Sequence, residues 1–285
     1  MKKKKWLLLL LVLALAVCLT VQWVIWADTA LECNEIVVAC PDLPENFNGY
    51  RIAHISDLHN AEYGEGNEKL LTLLAEAKPD IIAITGDLVD SRETNIDVAL
   101  NFAREAVKIA PCYYATGNHE SRVQGFAELE QGLKAAGVVV LRNESTVLEK
   151  NGQAIQIIGL DDYTFFDGSS GVECVNNMLQ ALERVNGEAF SVLLSHRPEF
   201  VEEMSMRGIE VILSGHAHGG QIRLPFVGGL YGPDQGYFPE YDAGLFCVGN
   251  TSMVVSRGLG NSQFPFRVNN RPEVVLIILE KETSK

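Results

Sequence analysis

From residue 50 onwards the apolar positions of this chain switch between two spacings, and the switching predicts a succession of strands and helices. Arg51–Ser56 reads as a strand, Asn67–Ala77 as a helix with apolar side chains at 70, 71, 73, 74 and 77, and Asp80–Thr85 as a buried strand; together they make a β-α-β unit. Ile96–Ile109 continues as an amphipathic helix, Cys112–Ala115 as a strand, and Phe126–Ala136 as a helix closed by Gly137. The rhythm then changes. Val138–Leu141, Thr146–Glu149 and Ala154–Leu160 read as strands, the last two joined across Asn151-Gly152, a dipeptide suited to a tight hairpin. Beyond them come the helix Val172–Val185, the strand Ser191–Leu194, the short helix Glu199–Met206, the strand Glu210–Leu213, and strands at Leu245–Val248, Met253–Ser256 and Val274–Leu279. That order fits an α/β fold of two mixed sheets packed together with helices outside.

The N-terminus follows a different pattern. Residues 1–5 are a basic end, and the run from Trp6 to Trp26 carries no charge. Its 21 residues, at about 1.5 Å each, reach roughly 31 Å, enough to cross a bilayer core. The apolar region of a cleaved signal peptide is usually about 7–15 residues and ends in small side chains, whereas this run is longer and ends in Trp23 and Trp26, so an uncleaved anchor over 6–26 is expected. Lys2 to Lys5 should hold their end in the cytoplasm, which makes this a single-pass protein of the cell membrane with residues 29 onward on the outer side. Residues 27–49 read as a stem and 50–282 as one catalytic-sized domain, with no repeat of solenoid period.

Charge narrows the partners. A formal net charge of -14, from 37 acidic and 23 basic residues, argues against nucleic acid, which is bound by clustered Lys and Arg. An anionic partner would need metal ions or a local basic patch. With Cys18 in the membrane, Cys33, Cys40, Cys112, Cys174 and Cys247 remain; Cys33 and Cys40 could pair near the stem, and isolated buried thiols are the alternative. No Cys-x-x-Cys spacing suggests a zinc cluster.

Five predicted strands run into a polar cluster at their C-terminal ends: SDLH at 56–59, GDLVD at 86–90, GNHE at 117–120, SH at 195–196 and GHAH at 215–218. Ligands of open α/β sheets bind outside the carboxyl ends of strands, so the five ends should converge on one site. Residues i and i+2 leave an extended strand on one face, which would pair Asp57 with His59 and His216 with His218. Together the clusters supply Asp57, His59, Asp87, Asn118, His119, His196, His216 and His218. Carboxylate and imidazole without thiolate suit Mn²⁺, Fe or Zn²⁺ in a reactive site better than a structural zinc. His54, three before Asp57, should face away from this set, and Asp80, Asp90 and Glu120 read as turn or capping carboxylates, with Glu120 the best candidate to orient a ligand.

Asp57-x-His59, Gly86-Asp87, Gly117-Asn118-His119-Glu120, His196 and Gly215-His216-x-His218 resemble the ordered motif set of the calcineurin-like metallophosphoesterases over roughly residues 50 to 280. Within that superfamily, SGHAHGGQIRLP at 214–225, SRGLG at 256–260 and the anchored N-terminus resemble the YkuE-type branch, related to UDP-2,3-diacylglucosamine hydrolases. The resemblance implies a four-layer αββα sandwich with a dinuclear site at strand C-terminal ends. It also implies that Asp57, His59 and His218 bind one metal, that Asn118, His196 and His216 bind the other, and that Asp87 bridges them. His119 would stand at the leaving-group oxygen as general acid or electrostatic stabiliser, not on a metal.

The activity so implied is hydrolysis of a phosphodiester or diphosphate bond by a metal-bridged hydroxide. The cofactors would be two divalent cations, Mn²⁺ before Fe or Zn²⁺, and the substrate a phosphoester linked to a lipid or nucleotide of the cell envelope. Two rivals rank below it. One is an anchored binding protein that holds an anionic polymer or lipid without turnover; the other is a metal-dependent amidohydrolase, in which His-x-His belongs near the start of a barrel, not after the last major unit. Arg197 and Arg223 adjoin the motifs as candidate phosphate contacts or ordinary surface arginines, and the segments 161–168 and Leu230–Tyr241 read as loops able to wall the site.

Overall fold

The computed structural model describes residues 2–282. Helix α1 (Lys2–Thr29) carries the apolar run. Strand β1 (Glu32–Cys40) follows at once, inside the segment expected to be a stem. It pairs in parallel, residue by residue, with the last strand of the chain, from Glu32 opposite Glu273 to Cys40 opposite Lys281. As an edge strand it buries only one side, so its sequence, ECNEIVVAC, lacks the apolar run that marks a central strand. Residues 41–49 are also packed into the domain, through Leu43 and Phe47. Cys33 and Cys40 lie near opposite ends of β1, about 23 Å apart at about 3.3 Å per residue, too far for a disulfide.

The first half continues with β2 (Tyr50–Ile55), α2 (Glu68–Ala77), β3 (Ile81–Thr85), α3 (Ile96–Ala106), β4 (Cys112–Ala115), α4 (Phe126–Ala136) and β5 (Val139–Val140). The second half opens with the hairpin of β6 (Glu144–Lys150) and β7 (Gln153–Gly159). Its turn residues Asn151 and Gly152 take φ of 51° and 80°, the left-handed values a two-residue turn needs. There follow α5 (Gly171–Val185), β8 (Ser191–Leu194), α6 (Val201–Ser205) and β9 (Val211–Ser214). Two small ribbons come next: β10 (Arg223–Leu224) with β11 (Gly228–Gly229), and β12 (Tyr231–Gly232) with β13 (Gly236–Tyr237). The chain ends with β14 (Gly244–Val248), β15 (Thr251–Val255) and β16 (Glu273–Lys281).

Two six-stranded mixed sheets result, in the orders β1-β16-β2-β3-β4-β5 and β14-β15-β9-β8-β7-β6. Between them lies a core to which Ile52, Ala83 and Tyr113 contribute from one sheet and Ile157, Leu194 and Leu213 from the other. The outer face of the first sheet is covered by α2, α3 and α4 through Leu70, Phe102 and Leu129. The outer face of the second is covered by α5 and α6 through Leu182 and Met204. Each such large apolar side chain contributes roughly 1.5–3 kcal/mol by leaving water. The four layers are therefore helix, sheet, sheet, helix. Within them β2, β3 and β4 run parallel in one sheet and β7, β8 and β9 in the other.

Candidate metal centre

The polar clusters begin where the strands stop, and the backbone there is not extended. β2 ends at Ile55, β3 at Thr85 and β9 at Ser214, while Asp57, His59, Asp87, His216 and His218 all adopt positive φ, between 46° and 64°. Non-glycine residues avoid this region because Cβ meets the backbone, at a cost of order 1–3 kcal/mol each, so surrounding bonds must hold them. They do. Asp57 N–H donates to Gly86 O at 3.1 Å, His59 N–H to Asp87 O at 3.0 Å, and Gly260 N–H to Asp57 O at 2.6 Å. The expectation from two-residue strand alternation fails for this reason: Asp57 and His59 stay together, but His216 and His218 turn apart into different groups. The crossing of the two sheet ends leaves no room for a side chain at Gly215, and the neighbouring ends of β3 and β4 leave none at Gly117. A Cβ on Gly215 would lie 1.8 Å from Ser56 Oγ, and one on Gly117 2.3 Å from Asp87 Oδ1.

Two wholly buried sets of donor atoms result, beside two partly exposed groups, His59 with Asp90 and His119, and Glu199 with His216 and Asp234. Asp57, His59 and His218 form one buried set, and Asp87, His196 and His216 the other; in each, one atom from every residue lies within 4.8 Å of the others. All six residues are buried. Asp57 Oδ1 is 3.2 Å from His218 Nε2 and 3.7 Å from His59 Nε2, and these two nitrogens face each other at 3.2 Å. Asp87 Oδ2 lies between the sets, 3.2 Å from His196 Nε2 and 3.6 Å from His59 Nε2. His196 Nδ1 is committed to Thr85 O at 2.7 Å, which leaves Nε2 turned inward without a hydrogen-bond partner; buried Asn118 Oδ1 also has none. Facing imidazoles, inward carboxylates and buried polar atoms without partners fit a pair of divalent cations. The motif resemblance implies Asp57, His59 and His218 for one metal and Asn118, His196 and His216 for the other; the second set here has Asp87 with His196 and His216. Burial opposes ionisation of Asp57, yet His218 and His59 hold its pKa well below the usual carboxylate range, and His196 does the same for Asp87. Burial would lower the pKa of His196, but Asp87 outweighs it and pushes it up to about 10.

His119 stands at the edge of the two sets, its ring edge-on to His59 with centroids 4.5 Å apart. Its own N–H donates to Asp87 Oδ1 at 2.8 Å, and Ser91 N–H donates to its Nδ1 at 2.9 Å. Because Nδ1 accepts, the proton of the neutral ring must sit on Nε2. Burial lowers the His119 pKa to about 4, despite Asp87 and Asp90, so the ring is neutral near pH 7. His119 lines a cavity of about 300 Å³ whose floor is Asp87, Asn118, His216 and His218 and whose rim includes Arg92 and Arg122.

The surrounding side chains explain how the floor is kept. Glu120, fully buried, accepts N–H bonds from Asp87, Leu88 and Gly117 at 2.8–2.9 Å, tying the loops after β3 and β4 together. Burial and the neighbouring Asp87 raise its pKa. Asp80 accepts from Arg51 N–H at 2.8 Å, a turn role, and His54 Nε2 meets Thr85 Oγ1 at 2.8 Å outside both donor sets. Asp90 holds Arg92 and lies 3.6 Å from His119 Nδ1. Arg197 is no surface arginine. It is 3 % exposed, donates to Asp162 Oδ2 at 2.5 Å, approaches His216 Nε2 at 3.0 Å, and lies over the Tyr163 ring at 4.5 Å. Arg223 instead bonds Gly219 O and Asp242.

Of the two segments expected to wall the site, Leu230–Tyr241 does so directly, through Tyr231, Pro233 and Asp234. Asp234 Oδ2 sits 2.9 Å from His216 Nε2 and pairs with Arg197. The segment after β7 acts at one remove, through Asp162 and Arg197. Several contributors escaped the sequence reading, among them Ser91, Arg92, Arg122, Asp234 and Arg267. Arg267 is wholly buried and donates to Arg257 O and Gly260 O, fastening the loop that abuts Asp57; no local sequence signal marked it.

Comparison with known proteins is consistent with this geometry. A family model described as "Calcineurin-like phosphoesterase" matches residues 50–220. The chain is 32% identical over 259 residues to "Uncharacterized metallophosphoesterase YkuE" of Bacillus subtilis, covering 88% of this chain and 86% of that protein. It is 28% identical to "Phosphodiesterase YaeI" of Escherichia coli, covering 82% and 84%. It is also 27% identical to "Transmembrane protein with metallophosphoesterase domain" of Danio rerio, covering 95% of this chain and 62% of that one.

Proposed function

Because this chain belongs to the calcineurin-like phosphoesterase family and is a phosphoric ester hydrolase, we propose that it cleaves a phosphodiester or diphosphate bond carried by a lipid- or nucleotide-linked substrate of the cell envelope. The family implies a dinuclear divalent metal site. In our reading Asp57, His59 and His218 hold one cation, Asn118, His196 and His216 the other, and Asp87 is shared, with Mn²⁺ the expected metal. Bound there, the cations supply Lewis acidity and positive charge to a phosphoryl group in an otherwise acidic protein. The observation that carries the assignment is the pair of buried donor sets with His196 Nε2 and Asn118 Oδ1 left unpartnered.

The protein's own groups have separate tasks. His119, neutral and protonated on Nε2, donates toward the leaving oxygen, while the Ser91 N–H on Nδ1 fixes that tautomer. Its backbone N–H orients Asp87, and Glu120 holds the Asp87 loop from behind. Arg92 and Arg122 at the rim attract the remaining phosphate charge. Helix α1, long and apolar enough to span a bilayer, is read as the anchor, with residues 1–5 cytoplasmic and the catalytic domain on the outer side.

The test uses the full chain in detergent, stripped of metal and restored separately with Mn²⁺, Fe²⁺ or Zn²⁺. Bis-p-nitrophenyl phosphate should be hydrolysed in preference to p-nitrophenyl phosphate, with turnover lost in Asp87→Asn and His119→Ala. Metal bound without turnover of either ester would overturn the diester assignment. Full digestion of the domain by protease added to intact cells is expected; protection would reverse the topology.

A further inference from the structure

We propose that the loop Asn261–Phe266 lies in the headgroup layer of the membrane that holds α1, so that the cavity opens at the height of lipid phosphates and takes a phosphoester fixed in that surface. This rests on the anchored phosphodiesterase reading above. It adds a membrane-contacting surface and the physical state of the substrate.

The helix is bonded to the domain at its exit point. Asp28 accepts from Asn261 Nδ2 at 2.9 Å, and Arg271 Nε donates to Ala30 O at 2.8 Å while its guanidinium lies over the Trp26 ring at 4.9 Å. Asn261 Nδ2 also reaches Pro265 O at 3.3 Å, which brings the far end of the loop to the same point. Trp26 is the last residue of the apolar run, so Asp28 stands only about 3 Å farther along the axis. The headgroup region on each side of a bilayer is about 5–7 Å thick, and a loop bonded to Asp28 falls within it.

The loop's composition suits that place. Residues 261–266, NSQFPF, carry no charge in a chain whose net charge is -14. Phe264 and Phe266 remain 37% and 38% exposed, with Pro265 between them. Exposed aromatic side chains beside the Trp-bearing end of a membrane helix are the residues favoured at the interface. Just past the loop Val268 bridges Ile222, and the turn that follows Ile222 leaves Phe226 and Val227 exposed.

The same loop walls the catalytic cavity from the other side. Ser262 and Gln263 line it, and Arg92, held by Asp90, donates to the carbonyls of Asn261 and Ser262. One loop thus separates the site from the anchor. A phosphoester held in the bilayer surface needs no extraction to reach the cavity.

The full chain in phosphatidylcholine–phosphatidylglycerol vesicles tests this, in a background where Trp6, Trp23 and Trp26 are replaced by Phe. Fluorescence of Phe264→Trp and of Phe266→Trp should fall at least about twofold when acyl-brominated phosphatidylcholine is included, as expected for side chains buried about 5–10 Å at the boundary. Met206→Trp, 76% exposed at the start of the β9 approach, should not change. No quenching at either Phe position, in protein that still hydrolyses soluble bis-p-nitrophenyl phosphate, overturns the proposal. As a second readout, Phe264→Ser with Phe266→Ser should lose about tenfold on a p-nitrophenyl phosphodiester of diacylglycerol carried in the vesicles, about 1.4 kcal/mol, while the soluble ester is unaffected. An unchanged rate on the vesicle-borne ester, or an equal fractional loss on both esters, would also overturn it. Failure to hydrolyse either ester in the unaltered chain sinks the phosphodiesterase reading instead, and the quenching then judges the loop alone.

Discussion

The floor of the cavity and its rim are built in opposite ways. Five of the six donor-set residues at and beneath the floor hold strained positive φ, all six are buried, and backbone bonds tie the loops after β2, β3 and β15 together. At the rim, Asp234 and Arg92 are about half exposed and are held through side-chain contacts, Asp234 by His216 and Arg197 and Arg92 by Asp90 and the carbonyls of Asn261 and Ser262. Strain can be stored only where packing over-determines the conformation, so the floor is suited to fixed ligand geometry. The rim is suited to selecting what enters. Substitutions in the two regions should therefore fail differently.

The sharpest break comes from Asp87→Asn, which removes the carboxylate shared by both sets. Metal content measured by mass spectrometry should fall from two per chain, and metal-dependent turnover should vanish; full metal retention would show that Asp87 is not shared. His119→Ala should follow, with kcat down about 10²–10⁴ and metal content intact. Loss of metal in that variant would move His119 from the rim of the chemistry onto the floor. Glu120→Gln comes next. It presents an NH₂ to backbone donors that now meet a carboxylate, so metal affinity should weaken about 10–100-fold, read by competition with a chelating dye while circular dichroism stays unchanged. Asp234→Ala should give the smallest effect, a change of KM within about tenfold at unaltered kcat and metal content. A collapse of kcat there would make the rim part of the floor.

The alternating pattern placed most elements to within a residue or two. Cys112–Ala115, Phe126–Ala136 and Ser191–Leu194 are found at the predicted ends, because each is a short apolar stretch or stripe with its own boundary signals. Its failures have specific causes. β1 was read as a stem because an edge strand buries one side and its partner is more than two hundred residues away. Arg197 looked like any arginine beside a motif, and only folding brings Asp162 and Tyr163 around it. His216 and His218 were paired by strand geometry, but the chain leaves β9 at Ser214 and turns left-handed, which no local spacing records.

What the sequence determined by itself was the identity and order of the chemistry: Asp-x-His, Gly-Asp, Gly-Asn-His-Glu, His and Gly-His-x-His, each at the end of an apolar run. Hydrophobic periodicity is a property of neighbours two to four apart, so it survives in one dimension. Which donor joins which set was decided by the crossing of two sheet ends, where Gly215 meets Ser56 and His196 from the end of β8 reaches Thr85 of β3. So was the nearness of the cavity to the end of α1, since Asn261 and Asp28 meet through one hydrogen bond between segments far apart in the chain. Those contacts cost chain entropy that only the closed four-layer core recovers, and they exist nowhere before it forms.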